Sequence, residues 1–269
     1  MSGTAQPDLG LQTHFWNRRA ADYPDPCSAV HRARQARRLA RLPAAARPAP
    51  GVEILDVGAG TGALALFAAE AGASVTALDV SEAMLGRLRD AAKHRPIATV
   101  LADWRSFDPA SAGFCHAFDI VYAQMVPSFR SIADFARLDA CSRRWCVFIG
   151  WGRARRDPWL QAAFAAHDVP WEVPAGVPLA TELLARLGRN PRPLYWKETW
   201  SRTRSAAAAL RDAADHLFVR GVDADLDLLR RELARIGGAE QLVDRSVVEI
   251  GMLAWEVDPG RTPERRQGA

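Results

Sequence analysis

The stretch formed by residues 52–65 constrains the fold of this chain more than any other. It reads VEILDVGAGTGALA, in which a short apolar run ends at Asp56, alternating glycines follow, and an Ala/Leu segment favours a helix. Glycine at Gly58, Gly60 and Gly62 lets the backbone turn sharply and approach a ligand, because no Cβ stands in the way. The following helix points unpaired N–H groups and the positive end of its dipole towards that ligand. The stretch therefore predicts a cofactor-binding strand, glycine loop and helix.

The glycine spacing alone leaves two classes of cofactor open. Gly58, Gly60 and Ala63 also satisfy the dinucleotide fingerprint G-x-G-x-x-G/A, which has an acid about 20 residues further on. The residue that separates the two classes is Asp56, two positions before the first glycine. A carboxylate here would repel a pyrophosphate and attract an ammonium group. S-adenosylmethionine (SAM) carries an ammonium and a sulfonium group, whereas NAD does not, so Asp56 favours SAM.

The segment Asp56–Gly62 resembles the first motif of the class I SAM-dependent methyltransferases, E/D-x-G-x-G-x-G. The similarity extends over residues 50–150, with weaker support on either side. It implies a Rossmann-like, doubly wound α/β fold whose seven-stranded sheet is mostly parallel and has an antiparallel last strand. It also implies SAM as the cofactor and S-adenosyl-L-homocysteine (SAH) as the product. From this motif the predicted cofactor-binding residues are Asp56, Gly58, Ala59, Gly60, Thr61 and Gly62.

An acid ends the second predicted strand, residues 74–79. Asp79 lies 19 residues after Gly60, and a carboxylate at that place can accept both ribose hydroxyls of an adenosine cofactor. The alternative is a helix N-cap, although Ser81 already supplies one. Val80 is included in the predicted cofactor site, and Met84 on the next helix resembles an adenine-side contact in relatives.

The third predicted strand, residues 98–101, is followed by Asp103 and Trp104. In the family an acid at this place accepts the adenine amino group, and its neighbour covers a ring face. An indole that stacks on a base contributes ~1–3 kcal/mol. The alternative is a surface aspartate beside a tryptophan at the rim, so the adenine role remains an expectation.

The residues after the fourth predicted strand, 118–123, should face the transferred methyl group, since ligands bind at the carboxyl ends of such strands. We assign Gln124 to the cofactor and Met125 to the substrate. The segment lacks the N/D-P-P-Y/F sequence of enzymes that methylate amino groups of nucleic acids. It also lacks the Pro-Cys nucleophile that cytosine C5 chemistry requires. These departures count against a base methyltransferase and favour a small-molecule acceptor.

The remaining segments predict helices around this core. We expect helices at 14–23 and 28–42, a fifth strand at 145–150 and a last strand at 246–255. Relatives carry an N-terminal segment that closes over SAM; for Trp16 and Tyr23, substrate contact and simple packing remain open, and Trp151 is assigned to the substrate. The predicted domains are a helical lid segment at 1–50, a SAM-binding core at 51–150, a helical substrate cover at 151–193, the C-terminal part of the core sheet at 194–258 and a disordered tail at 259–269.

Composition excludes several classes of protein. At 269 residues with 49% apolar and 25% charged residues, the chain has the composition of a globular protein. No run approaches the ~20 apolar residues that span a bilayer, and no secretory signal is recognised, so we expect a cytoplasmic enzyme without a membrane partner. Four cysteines without a C-x-x-C pattern predict free thiols and no metal site. Arsenic methylation would require Cys115, Cys141 and Cys146 to converge.

The arginine-rich segments have two interpretations, nucleic-acid binding or solvated helix faces, and a formal charge of only +4 favours the second. The predicted function is therefore SAM-dependent methylation of a small-molecule acceptor by in-line displacement. The alternatives are an NAD(P)-dependent Rossmann oxidoreductase and a non-catalytic SAM-binding protein. The sequence identifies neither a catalytic residue nor an oligomeric state; His14, Tyr23 and His116 are the candidates for a base.

Overall fold

The structure is a computed structural model that describes residues 9–93, 95–238 and 240–257, so the predicted tail at 259–269 lies outside it. The helices are α1 (Leu9–Arg19), α2 (Ala29–Leu39), α3 (Ala63–Glu70), α4 (Glu82–Ala92), α5 (Ile132–Cys141), α6 (Pro158–Ala166), α7 (Val177–Arg186), α8 (Ala206–Phe218) and α9 (Leu226–Arg235), with a 3-10 turn at Ala44–Ala46. The strands are β1 (Glu53–Val57), β2 (Ser74–Asp79), β3 (Ile97–Leu101), β4 (Phe118–Gln124), β5 (Ser142–Arg156), β6 (Leu194–Ser205) and β7 (Gln241–Glu256).

The seven strands form one sheet in the order β3-β2-β1-β4-β5-β7-β6. The first six run parallel and β7 is antiparallel, which confirms the predicted fold class. Because β2 and β3 lie on one side of β1 while β4 and β5 lie on the other, the strand order reverses between β1 and β4. Ligands of open α/β sheets bind at the carboxyl ends of the strands at such a reversal. The predicted glycine loop follows β1 and lies at this point.

Burial explains why β1 and β4 read as nearly continuous apolar runs. In β1 every residue after Glu53 is buried, and in β4 five of the seven residues are. Strands of a parallel sheet are covered by helices on both faces, so both sets of side chains become apolar. The helices begin at polar caps: the Ser81 hydroxyl accepts the Met84 N–H at 3.1 Å, and Ser131 forms a capping box with Asp134.

Two elements differ most from their predicted bounds. Strand β5 is predicted at 145–150 but runs from Ser142 to Arg156, because residues 153–156 are mostly exposed, include three arginines and carry no apolar signal. Helix α1 is predicted at 14–23 but begins at Leu9 and ends at Arg19.

The chain divides into two compact units. The core unit consists of Pro24–Gly152, Ala175–Tyr195 and the chain from Ile250 onwards. The accessory unit consists of the chain up to Tyr23, Arg153–Pro174 and Trp196–Glu249. The predicted substrate cover is therefore shared: α6 belongs to the accessory unit and α7 to the core unit. Its role as a cover, and that of residues 1–50 as a lid, remain predictions.

Each unit has its own apolar cluster. In the core unit β1, β4 and β5 pack against α5 and α7 through Leu55, Val121, Phe135, Phe148 and Leu184, among others. In the accessory unit Trp159 on α6 is fully buried among residues of α8 and α9, and its indole N–H donates to the Ala209 carbonyl at 2.9 Å. Removing side chains of this size from water stabilises each unit by roughly 1.5–3 kcal/mol per residue.

The accessory unit also contains a buried charge network. Asp212 on α8 pairs with Arg19 of α1 and, at 2.7 Å, with Arg204 of β6, whose other nitrogen pairs with Asp244 of β7 at 2.9 Å. Burial raises the pKa of the Asp212 carboxyl, but Arg19, the His216 ring and Arg204 outweigh burial and hold the pKa well below its ordinary value. The network joins α1 to α8 and to two strands of the sheet.

None of the described helices is both long enough and apolar enough to span a bilayer.

Candidate functional site

The three glycines of the loop after β1 all have positive φ, but for different reasons. A Cβ on Gly58 would lie 2.5 Å from the Val126 side chain, and one on Gly62 would lie 2.1 Å from that of Leu88. A Cβ on Gly60, where φ is +55°, would meet nothing within 4 Å. Packing therefore requires Gly58 and Gly62, whereas Gly60 faces open space that a ligand can enter.

Asp79 at the end of β2 holds this loop through backbone hydrogen bonds. One carboxylate oxygen accepts the Gly60 N–H at 2.8 Å, and the other accepts the Ser81 N–H at 2.9 Å. Burial raises the pKa of the Asp79 carboxyl, and the N–H groups of Gly60, Ser81 and Val80 oppose that shift. The predicted ribose acceptor therefore lies against the one glycine of the loop that faces open space.

Asp56, the acid before the loop, is buried with an unsatisfied oxygen. Its side chain is 1% exposed, and Oδ2 has no hydrogen-bond partner among the described residues. Burial, and secondarily the charge of Asp79, raises the pKa of Asp56 from 3.8 to about 7, although the Ala65 N–H lowers it. A buried carboxylate that lacks a partner is costly. A cationic group bound beside it would supply the missing partner and favour the ionised form.

Tyr122 lies opposite Asp56 in the parallel pairing of β4 with β1. Its hydroxyl donates to the Ala46 carbonyl, so it does not satisfy Asp56. Burial, and then the charge of Asp56, raises the pKa of the Tyr122 hydroxyl. This tyrosine therefore stays protonated and serves to hold the segment before β1 against the sheet.

The end of β4 is fixed by contacts that the sequence did not predict. The Gln124 amide forms two reciprocal hydrogen bonds with Gln35 of α2, at 3.0 and 3.1 Å. Met125 then adopts a φ of +57°, rare for a residue other than glycine, and its N–H donates to the Ile149 carbonyl at 2.6 Å. One sequence signal could have indicated that Gln35 is buried: it stands four and seven residues before Leu39 and Leu42, a helical spacing, and both leucines are buried.

The predicted adenine-side residues are more buried than a cofactor contact needs. Trp104 is 4% exposed, donates from its indole to the Asp134 carbonyl at 3.1 Å, and has the Phe107 and Phe129 rings stacked near it. Met84 is 1% exposed in the first turn of α4. The position of Trp104 favours core packing over stacking on adenine, because stacking needs an accessible ring face. Both cofactor roles remain predictions.

Asp103 and Thr61 complete the predicted cofactor residues. Asp103 is half-buried beside Arg105, whose Nε lies 3.2 Å from the carboxylate. Thr61 is 3% exposed inside the glycine loop, and Ala59 donates its N–H to the Leu78 carbonyl at 3.1 Å. The structure thus brings Asp56, the glycine loop, Asp79 and Gln124 to the carboxyl edge of one sheet.

The predicted substrate residues belong to both units. Trp16 and Tyr23 lie in the accessory unit, where their rings meet edge to face with centroids 6.4 Å apart. Met125 and Trp151 lie in the core unit, both half-buried. Gly176 passes so close to Trp151 that a Cβ on it would lie 2.2 Å from the Trp151 carbonyl oxygen. The substrate roles of all four remain predictions.

All three candidate bases contact other groups of the chain, Tyr23 through the Trp16 ring. His116 lies before β4, at the opposite edge of the sheet from the glycine loop, and its Nδ1 is 2.9 Å from the Ser142 carbonyl. His14 packs near Phe218 in the accessory unit. No set of three or more His, Cys, Asp or Glu side chains within the described ranges is placed to bind a metal ion.

Comparisons with known proteins find a matching family model and solved structures of similar fold. Residues 54–144 match a family model described as "Methyltransferase domain". The magnesium protoporphyrin IX methyltransferase of Synechocystis PCC 6803, solved with SAH bound, is 15% identical to this chain with a TM-score of 0.50; the match covers 91% of this chain and 99% of that one. The YcgJ protein of Bacillus subtilis is 11% identical with a TM-score of 0.50, over 84% of this chain and 99% of that one.

At such identities the two solved structures establish a likeness of fold. No curated protein matches the sequence significantly. The family match covers the segment from β1 to the start of β5, which contains the glycine loop, Asp79 and Gln124. The match of residues 54–144 to a methyltransferase domain, the strand order and the first motif together support membership of the class I SAM-dependent methyltransferase superfamily.

Proposed function

We propose that this protein transfers the methyl group of SAM to a small-molecule acceptor by in-line displacement. The observation that carries the proposal is the unpartnered, buried Oδ2 of Asp56, next to a glycine loop that is open at Gly60. A site that neutralises a buried carboxylate suits a cationic ligand, and SAM is cationic at its ammonium and sulfonium groups. A dinucleotide would bring the negative charges of its pyrophosphate to the same place.

The residues at the edge of the sheet fit the parts of SAM. Asp56 would attract the ammonium group, the open face at Gly60 would admit the ligand, and the Asp79 carboxylate would accept the ribose hydroxyls. Asp103 would accept the adenine amino group, as the resemblance implies. When bound, SAM supplies a methyl group on a sulfonium, which is already an activated leaving group.

The chain's own contribution to the reaction is alignment and exclusion of water. The segment after β4 is held on three sides, by Gln35, by the Met125 N–H and by the packing of Val126 over Gly58. Holding two reactants in line contributes up to ~7–11 kcal/mol of barrier lowering. Because positive charge disperses as the methyl moves, a poorly solvated site favours the transfer.

A small acceptor is supported by the sequence that follows β4. Gln124-Met125-Val126-Pro127 stands where enzymes that methylate nucleic-acid amino groups carry N/D-P-P-Y/F. The solved fold relative from Synechocystis acts on a porphyrin, a small molecule, according to its name.

Calorimetric titration with SAM, SAH and NADH tests the cofactor. We expect SAM and SAH to bind and NADH not to bind, and Asp79→Ala to weaken SAM binding by about 1–3 kcal/mol, the scale of lost charge-assisted hydrogen bonds. Asp108→Ala is the matched control, because the exposed Asp108 carboxylate also accepts two backbone N–H groups but lies in another loop. Binding of NADH in preference to SAM would contradict the proposal.

The acceptor itself calls for a separate measurement. Fractionated metabolite pools would be screened for SAM-dependent release of SAH at a SAM concentration near the wild-type Kd, where Asp79→Ala should release less SAH. Release that follows one purified small molecule supports the proposal, whereas tight SAM binding without SAH release from any pool would favour a non-catalytic SAM-binding protein.

A further inference from the structure

We infer that Gln35 is a positioning residue: it limits the amide of Gln124 to two paired orientations, one of which presents oxygen to a bound cation, and thereby makes the site prefer SAM over SAH. The inference rests on the proposed function, since it concerns how the same site distinguishes the methyl donor from the product. Gln35 and Gln124 are separated by 89 positions in the sequence. The sequence predicts a cofactor role for Gln124 and none for Gln35.

The contact between the two side chains is a closed amide pair. Gln35 Nε2 donates to Gln124 Oε1 at 3.0 Å, and Gln124 Nε2 donates to Gln35 Oε1 at 3.1 Å. Gln35 is 3% exposed. Within the described ranges neither amide forms another hydrogen bond, so each depends on the other for its burial. Each amide still has one N–H and one oxygen lone pair that the two reciprocal hydrogen bonds do not use.

The position of the pair places it beside the loop. In the parallel pairing of β4 with β1, Ala123 lies opposite Val57, so Gln124 comes level with Gly58. Asp56 lies opposite Tyr122, and residues two apart on a strand point to the same face. Gln124 therefore shares a face with Asp56, one side-chain repeat of roughly 7 Å nearer the carboxyl edge.

The amide pair matters because SAM and SAH differ mainly in charge at one atom. SAM has a positive sulfonium where SAH has a neutral thioether. An amide oxygen turned towards that atom attracts SAM more than SAH, and an amide NH2 group does the opposite. Since the reciprocal hydrogen bonds persist only when both amides turn together, Gln35 prevents Gln124 from rotating alone. The bound cation then selects the arrangement that presents oxygen.

The test compares the Kd values of SAM and SAH, measured by calorimetry on the full chain, for the wild type, Gln35→Leu, Gln124→Leu and the double variant. We expect each single variant to lower the preference for SAM by about three- to tenfold, the range of one hydrogen bond. The double variant should lower it no further, because Gln35 acts through Gln124. Two apolar side chains of similar shape leave no unpaired amide, so the double variant should fold.

Leu39→Ala is the control for helix packing, since Leu39 is on the same buried side of α2 and is 4% exposed. It should lower Tm and leave the SAM-to-SAH preference unchanged. Gln35→Met provides a second substitution with good helix propensity should Gln35→Leu fail to fold.

Three outcomes overturn the inference: an unchanged preference in the Gln35 variants, additive losses in the double variant, or an equal shift in Leu39→Ala. Failure of the proposed function looks different, because the wild type would then bind neither SAM nor SAH. A wild type that binds both, with a preference insensitive to Gln35, leaves the proposed function standing and reduces Gln35 to a packing residue.

Discussion

The affinity for SAM should depend on pH through Asp56. In the ligand-free protein its pKa is raised to about 7, so the carboxyl is largely protonated below that pH. Binding a cation beside Oδ2 requires the ionised form, and the proton must leave. Affinity should therefore rise as the pH rises. With a pKa of about 7, the Kd at about pH 6 should be about tenfold larger than at about pH 8.

Asp56→Asn isolates this effect from other titrating groups, including Asp79, whose pKa is also raised. The asparagine resembles the protonated acid, so SAM should bind weakly at every pH and the tenfold dependence should vanish. Calorimetry in two buffers of different ionisation enthalpy counts the proton that SAM binding releases from the wild type. An affinity that stays constant between the two pH values, or falls as the pH rises, would refute the assignment of Asp56 to the cation.

The same carboxyl should make the ligand-free protein less stable at higher pH. Its pKa is about 7 when folded and 3.8 ordinarily, so the folded state holds the proton more tightly than the unfolded chain. Stability from this group is therefore complete at low pH and declines as the pH rises from about 4 to about 7. At ~1.4 kcal/mol per pKa unit the total is about 4 kcal/mol at most. Asp56→Asn should raise the Tm of the ligand-free protein at about pH 8, and SAM should stabilise only the wild type strongly.

Two further variants test the loop and the charge network. Gly60→Val should abolish SAM binding in calorimetry, because the valine side chain would occupy the space that the ligand enters. Gly113→Val is the control for backbone strain, since Gly113 has a φ of +72° and equally open surroundings, and this variant should bind SAM normally. Asp212→Ala should lower the free energy of unfolding, measured in urea, by about 3–5 kcal/mol, because it leaves buried guanidinium groups without their carboxylate partner. Asp22→Ala, which breaks an exposed pair, should cost about 0–1 kcal/mol, and equal losses in the two would contradict a role for burial.

The features that follow local rules were predictable from the sequence. The glycine loop, the acids that end β1 and β2, and the apolar strands each have a signal within a few residues of one another. The bounds of β2, β3 and β4 agree closely with the predicted ones, and those of β2 are identical at residues 74–79. Such signals survive because backbone geometry and burial act on neighbouring positions, whatever the rest of the chain does.

The features that escaped prediction arise between distant residues. Nothing near Gln35 indicates that Gln124, 89 positions away, completes its hydrogen bonds. The pair of Arg19 with Asp212 spans 193 positions, and its members look like ordinary surface charges in the sequence. Trp104 followed a local pattern that fits both an adenine contact and a core residue; only its ring neighbours show the packing. Long-range partners decide these cases, and a single sequence does not contain their pairing.

The place of β7 in the sheet has a consequence for biosynthesis. Of the seven strands β7 is synthesised last, yet it lies between β5 and β6, which are synthesised earlier. Until it arrives, the nascent chain carries β5 and β6 with exposed edges that invite pairing with other chains. Completion of the sheet therefore waits for the residues of β7, and a truncation before Gln241 would leave a gap in the sheet's interior and a chain prone to aggregate.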